Sequence, residues 1–392
     1  MSHARLSFVD RTRGLIMMFM ALDHALYFWS FGRVSNEGLP LVTNGTLSFL
    51  GAGNPSLPAS IAMIMASMAA PGFLLIAGYV LALSVKRREE TGASSWEISK
   101  HLWLRGLALI VLQVLVASPA FNLPAFVNGD LEFSVGVILS LSVLSTIGLG
   151  FIFLDLGRHI SAWKLMAFTA FLYLLSESLL PHFARAYSGL SWLEQGLRTL
   201  LVLPVPFSSQ LLLNNNFPVI PWLLPLCLGW LYGRTYKPEK GLAYEGKRWG
   251  LSGLISLGLF FILRMAGLGD YLRASSPDQF FVLSKYPPSP DYFLFYLGLV
   301  FLLFYLFNRL PKPGRVVAVL DEFGKTPLFF YAVHLWLYAL VPALFNHFNR
   351  TPLWAGAGIW LMGLVILYPL CRWSVKLRSS LKAILKPNPG IN

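Results

Sequence analysis

Apolar runs alternate with polar segments from one end of the chain to the other. About 20 apolar residues in a helix cross a ~30 Å hydrocarbon core. Runs near that length recur at residues 14–32, 59–85, 106–121, 132–156, 165–181, 218–233, 250–269, 291–308, 327–345 and 354–371. The runs at 106–121 and 165–181 are short, yet LALIVLQVLV and FTAFLYLLSE carry no internal breaker. The pattern predicts an all-α polytopic membrane protein with about ten transmembrane helices. It predicts a single integral-membrane domain over residues 1–392, with no stretch left for a soluble domain.

The polar segments differ on the two sides. Those on one side are compact and basic, such as KRREETGASSWEISKHLWLR at 86–105, whose second half reads as a short amphipathic helix on the membrane surface. Those on the other side, at 33–58, 182–217 and 270–290, are longer and richer in Pro, Gly and Asn. The middle one holds GLRTLLVLPVPFSSQLLLNNN, apolar enough to re-enter the bilayer or line a cleft. Neither a direct nor an inverted repeat is visible, which disfavours transporters built from inverted halves.

Composition agrees with this picture: 56% of residues are hydrophobic and 12% charged, with a mean hydropathy of +0.61. The net charge of +13 would suit nucleic acid if it were clustered, but its distribution is topological. With both termini cytoplasmic, about four fifths of the lysines and arginines fall in inner segments. The outer loops keep Arg33, Arg185, Arg198, Arg273, Lys285 and Arg350. The expected location is therefore the cytoplasmic (inner) membrane, multi-pass, with lipids as partners and no nucleic acid. The first apolar run exceeds a signal-peptide core and lacks a small-residue cleavage site, so it reads as a retained helix. Cys227 and Cys371 lie in expected spans without metal-ligand company, so neither a disulfide framework nor a metal is expected.

Against that background RTRGLIMMFMALDH, residues 11–24, stands out, because it carries Asp23 and His24 into a membrane helix. A central aspartate costs ~2.5–3.5 kcal/mol on insertion scales, which makes such residues functional candidates. His24 lies ~15 Å deep if the helix enters lipid near Gly14. Arg13 precedes it by eleven residues, and eleven steps of 100° return to within about 20° of the same direction. Arg13 and His24 thus share a face, about 16 Å apart along the axis, with Met17 and Met20 near the stripe. Asp23 points about 100° away, toward another helix or water. His334, in GKTPLFFYAVHLWLY, lies ~10 Å in from the inner side on a helix starting at Pro327, at a depth where it can share a cavity with His24. The plainer reading of either histidine is an interhelical hydrogen-bonder. Glu177 and Arg264, in the outer halves of their helices, read as side chains that snorkel outward. Arg105, at the inner end of the third span, is explained by the positive-inside rule alone.

An arginine, ten residues and a histidine on the first helix resemble the signature of integral-membrane acyltransferases of the acyltransferase-3 type. The wider chain is similar to the bacterial relatives of heparan-alpha-glucosaminide N-acetyltransferase. The matching stretches are FVDRTRG at 8–14, APGFLLIAGYVLALS at 70–84, WLRGLALI at 103–110, VGVILSLSVL at 135–144, IPWLLPLCLGWLYGR at 220–234 and FGKTPLFFYAVHL at 323–335. They occur in order over nearly the whole chain. The heparan enzyme resembles this chain with an asparagine at the place of His24 and a histidine in the segment that follows, where YFWSFGRVSNEG offers none.

The resemblance implies transfer of an acyl group, acetyl by analogy, from cytoplasmic acyl-CoA to a glycan or lipid-linked hydroxyl or amine at the opposite face. It implies His24 and His334 as catalytic residues and Arg13 as the arginine of the motif; Asp23, beside His24, is read from its position as an orienting partner in the catalytic group. Arg13, Arg105 or Lys325 would grip the CoA phosphates, since arginine suits charge-assisted bonds to phosphate. A neutral imidazole suits the proton transfer that such a reaction requires. The main alternative is a proton-coupled transporter or flippase of a polar or lipid-linked molecule, in which Asp23, His24 and His334 relay protons. A CoA-binding sensor without turnover is a third. A homo-oligomer is compatible with the sequence and not required by it.

Overall fold

The structure is a computed structural model that describes residues 6–34, 38–43, 46–51, 53–129, 142–185, 191–201, 217–310 and 314–384. The stretch at 202–216, the larger part of the expected re-entrant segment, lies outside the described residues. So do residues 132–141 of the fourth expected span.

Helix α1, Ser7–Trp29, is the hub of the bundle. After a two-stranded antiparallel hairpin, β1 Pro40–Thr43 and β2 Thr46–Phe49, come α2 Leu57–Ser67 and α3 Ala69–Glu90. These are followed by α4 Ser95–Leu112, α5 Ser118–Val127, α6 Val143–Gly157 and α7 Ala162–Arg185. The short α8 Trp192–Leu201 leads to α9 Val219–Arg234 and α10 Gly241–Met265. Last come α11 Pro290–Arg309, α12 Arg315–Lys325, α13 Pro327–Leu344 and α14 Leu353–Ile384. Helix α1 packs against α2, α3, α11, α12, α13 and α14.

Among the described residues seven helical segments are long and apolar enough to cross a membrane, and Val143–Gly157 is a shorter apolar helix. About ten were expected. Helix α1 falls outside the seven because Asp10, Arg11, Arg13 and Asp23 sit on it, and α9 spans only 16 residues. Outward-facing apolar side chains such as Leu104, Leu107, Phe171, Leu174, Leu254 and Val365 are what a lipid surrounding would cover.

The helix expected to lie on the surface within 86–105 is instead the start of a continuous 33-residue span, Ser95–Val127. Ser94 and Glu97 form a capping box that satisfies its first N–H groups. The span holds a π-helical turn at Gln113–Ala117, which ends two residues before Pro119, whose ring would meet the carbonyl four residues back in a regular helix.

Three helix pairs approach through reciprocal glycines. On α3 and α9, an added Cβ at Gly78 would stand 1.9 Å from the Leu226 oxygen, and one at Gly229 2.0 Å from the Leu75 oxygen. Gly106 and Gly148 do the same for α4 and α6. Gly14 lies against the Leu320 carbonyl and Gly324 against that of Asp10, drawing α12 onto the start of α1. Without a hydrophobic force between helices in lipid, such close backbone approach supplies the dispersion energy that holds them.

Arg264 does not snorkel outward. It is buried and donates to the carbonyls of Leu272 (2.6 Å), Phe280 (2.9 Å), Val282 (3.0 Å) and Gln279 (3.1 Å). Burying a guanidinium is tolerable when its donors are satisfied, and here it fastens the segment between α10 and α11 over the bundle end.

Candidate active site

The two membrane histidines meet. His24 on α1 and His334 on α13 bring Nδ1 and Nε2 within 2.8 Å of each other, with ring planes only 15° apart. His334 is fully buried and its Nδ1 lies 2.8 Å from the Phe330 carbonyl one turn earlier. A carbonyl can only accept, so His334 Nδ1 carries a proton, and the neutral ring's Nε2 is then a lone-pair acceptor. His24 Nδ1–H donates to it. That leaves the lone pair of a neutral His24 on Nε2, the nitrogen turned away from the partner ring. Aromatic rings enclose the pair: Phe121 meets His24 edge-on at 5.0 Å, and Phe330 and Tyr331 flank His334 at 5.2 and 5.7 Å.

Below the pair, a cavity of about 280 Å³ is lined by Arg13, Met17 and Met20 of α1, Phe73, Ile76 and Ala77 of α3, and Tyr331 of α13. Arg105 also borders it. The cavity ends one helical turn short of the histidines, since Met20 precedes His24 by four residues and Tyr331 precedes His334 by three. Apart from its two arginines and Tyr331, the lining named here is apolar. A second cavity, about 420 Å³, opens at the basic end between α1 and α3, bounded by Asp10, Arg13, Lys86, Arg87, Glu90 and Tyr236. Arg13 and Val80 border both spaces, so Arg13 stands at the doorway between vestibule and passage. Its guanidinium is held there by the Gly324 carbonyl at 2.8 Å and by Asp10 at 3.4 Å. Burial, together with Glu245 and Glu239 nearby, holds the Tyr236 phenol above its ordinary value, so this residue faces the vestibule as a neutral hydroxyl.

The other expected residues are placed as follows. Among the described residues, the ion pair of Asp23 is with the chain just past its own helix and not with another helix. Asp23 pairs at 2.7 Å with Arg33, in the segment just after α1. Lys325 pairs with Glu322 at 2.8 Å and borders neither of the two cavities. Residues that sequence reasoning passed over are Lys86, Arg87 and Tyr236 of the vestibule and Tyr331 at the head of the passage. Arg11 was also passed over. Buried, it donates to the Leu310 carbonyl (2.7 Å) and meets Asp321 at 3.3 Å, securing α12 beside the vestibule. Its neighbour Arg13, two residues along, points to the cavities instead. No group of three or more His, Cys, Asp or Glu suited to a metal occurs among the described residues.

Comparison with known families adds one firm result. A family model described as an acyltransferase domain, of the acyltransferase-3 type, matches residues 6–372. That is nearly the whole chain, and the protein belongs to this family of membrane acyltransferases. No curated protein matches.

Proposed function

We propose that the protein transfers an acyl group from acyl-CoA, bound from the cytoplasmic, basic end, to a hydroxyl or amine of a glycan or lipid-linked acceptor presented from the opposite end. The observation that carries this reading is the ordered chain Phe330 carbonyl, His334, His24, standing at the head of the passage that Arg13 guards. The doorway and vestibule offer Arg13, Lys86 and Arg87 to the phosphates and Tyr236 to the adenine, and Arg105 adds a charge from the passage wall. The apolar passage suits the slender pantetheine arm, and the ~16 Å from Arg13 to His24 along α1 sets its reach.

In the reaction His24 Nε2 takes the proton from the acceptor O–H or N–H as that atom bonds to the thioester carbonyl carbon. The C–S bond then breaks, and the thiolate receives the proton back from the imidazolium, leaving as CoA-SH. His334 holds His24 in the tautomer that presents Nε2, and its Nε2 accepts the Nδ1–H whose acidity rises when His24 becomes charged. The dry aromatic surroundings strengthen these bonds by lowering the local dielectric. Acetyl is the donor group favoured by the resemblance to the heparan-modifying acetyltransferases.

The test uses full-length protein in detergent with labelled acetyl-CoA and membrane or glycan extracts. CoA release and label transfer that vanish in His24→Ala are expected. If no extract supports transfer while His24→Ala abolishes a proton-coupled uptake in vesicles, the transporter reading replaces this one.

A further inference from the structure

At the end of the bundle opposite the vestibule, beyond His24, is a third and much smaller cavity. It holds about 50 Å³ and is bounded by Asp23, Arg33, Lys285, Tyr286, Ser67 and Met63. A water needs roughly 10–15 Å³ of such space, so the cavity suits a group the size of a carboxylate or phosphate and excludes a whole sugar ring. Its charged rim is cationic on balance, with Arg33 and Lys285 against Asp23. Basic residues are scarce at this end, six in the non-basic loops out of 31 lysines and arginines in the chain, and two of the six converge here. The Arg33–Asp23 pair is about one fifth exposed on each side, so it is reachable from outside. It also shows that Arg33 holds a carboxylate in this place at 2.7 Å.

Two side chains, Tyr27 and Phe121, stand between the cavity's Arg33 and His24. Arg33 stands 5.3 Å over the Tyr27 ring. The Tyr27 hydroxyl donates to the Phe121 carbonyl at 3.2 Å, and Phe121 packs on His24. Asp23 itself is the residue before His24. The cavity thus sits at the level of His24 along α1, separated from it by Tyr27 and Phe121.

Resting on the proposed transfer reaction, we infer that this cavity is the docking point for an anionic group of the acceptor, and that the acceptor is a hydroxyl- or amine-bearing compound carrying a carboxylate or a phosphate. Lys285 and Arg33 supply charge-assisted donors to that anion. The seated anion fixes which acceptor position lies within reach of His24 Nε2, so the pocket determines specificity and takes no part in the bond-making step.

The experiment uses full-length protein in phosphatidylcholine nanodiscs and ligand-observed NMR with three probes: glucuronate, glucose 1-phosphate and neutral glucose. At least one anionic probe is expected to bind tenfold or more tightly than glucose, and the better of the two identifies carboxylate or phosphate as the source. Lys285→Met, which leaves the Arg33–Asp23 pair intact, is expected to weaken that anion about tenfold without changing glucose. Arg33→Gln should do the same. Equal binding of all three probes, or anion binding undiminished in both variants, overturns the inference. The two proposals fail separately. Loss of transfer from acetyl-CoA with anion binding retained removes the acyltransferase reading alone. Transfer to anionic acceptors with an unchanged KM in Lys285→Met removes the docking site alone.

Discussion

The two ends of α1 serve spaces of opposite character. At the Arg13 end, a vestibule of about 420 Å³ and a passage of about 280 Å³ follow one another, with charge at the mouth and apolar walls beyond. At the Arg33 end the cavity that α1 itself lines holds about 50 Å³, rimmed by an ion pair and a lysine. His24 lies between them. Room and apolarity on one side suit a long, flexible donor, whereas tightness and charge on the other suit the grip of a single polar group. The contrast teaches that His24 is asymmetric in what it can meet from either side, although the helix carrying it is continuous.

The largest effect expected is at the shared centre. His24→Ala should lower transfer ~10²–10⁴-fold while leaving acyl-CoA binding within about twofold, as read by single-turnover CoA release and by equilibrium binding. His334→Phe should follow, with a loss of ~10²-fold or more confined to kcat. If His334→Phe raises only KM, the tautomer-setting role is wrong.

At the Arg13 end, Arg13→Ala removes one charged partner of the phosphates, worth ~1.5–3 kcal/mol, and should raise the KM for acyl-CoA by about tenfold or more with the anionic acceptor unaffected. Packing there can be tested separately. Gly324→Ala places a Cβ against the Asp10 carbonyl and should cost ~1–3 kcal/mol of stability, visible as a lower unfolding temperature in detergent. A matching change at exposed Gly258, which has open space around it, should not. The smallest effect is expected from narrowing the passage. Ala77→Leu fills part of the wall and should raise KM for long-chain acyl-CoA severalfold more than for acetyl-CoA, as competition between the two donors would show. An equal rise for both chain lengths would mean that the acyl group does not pass Ala77.

Some of this arrangement is legible before folding is considered. The Arg13, Met17, Met20 and His24 stripe follows from the period of one helix, and Arg13, Met17 and Met20 do border a common cavity. Arg264 illustrates the opposite case. Near a helix end it reads as a side chain bound for water. Yet it turns inward because four carbonyls of the following segment converge on it, and nothing local to FILRMAG announces them. The surface helix expected at the end of 86–105 failed for a related reason. The capping box at Ser94 marks a helix start, but that the helix continues unbroken into the next apolar run goes with its packing on α6, where Asp155 accepts from Ser99 and Trp103.

What the sequence determined by itself is therefore what the helix geometry and the cost of polar groups in lipid dictate: apolar helices in number, a basic and a non-basic side to their connections, and an arginine and a histidine on one face of the first. Only the tertiary structure decided that His24 meets His334, 310 residues away, that Asp23 turns back to Arg33, and that the passage and the small pocket lie on either side of His24. Periodicity is a property of one backbone and survives without neighbours. A hydrogen bond between helices exists only once the glycine contacts and apolar faces have set how those helices cross.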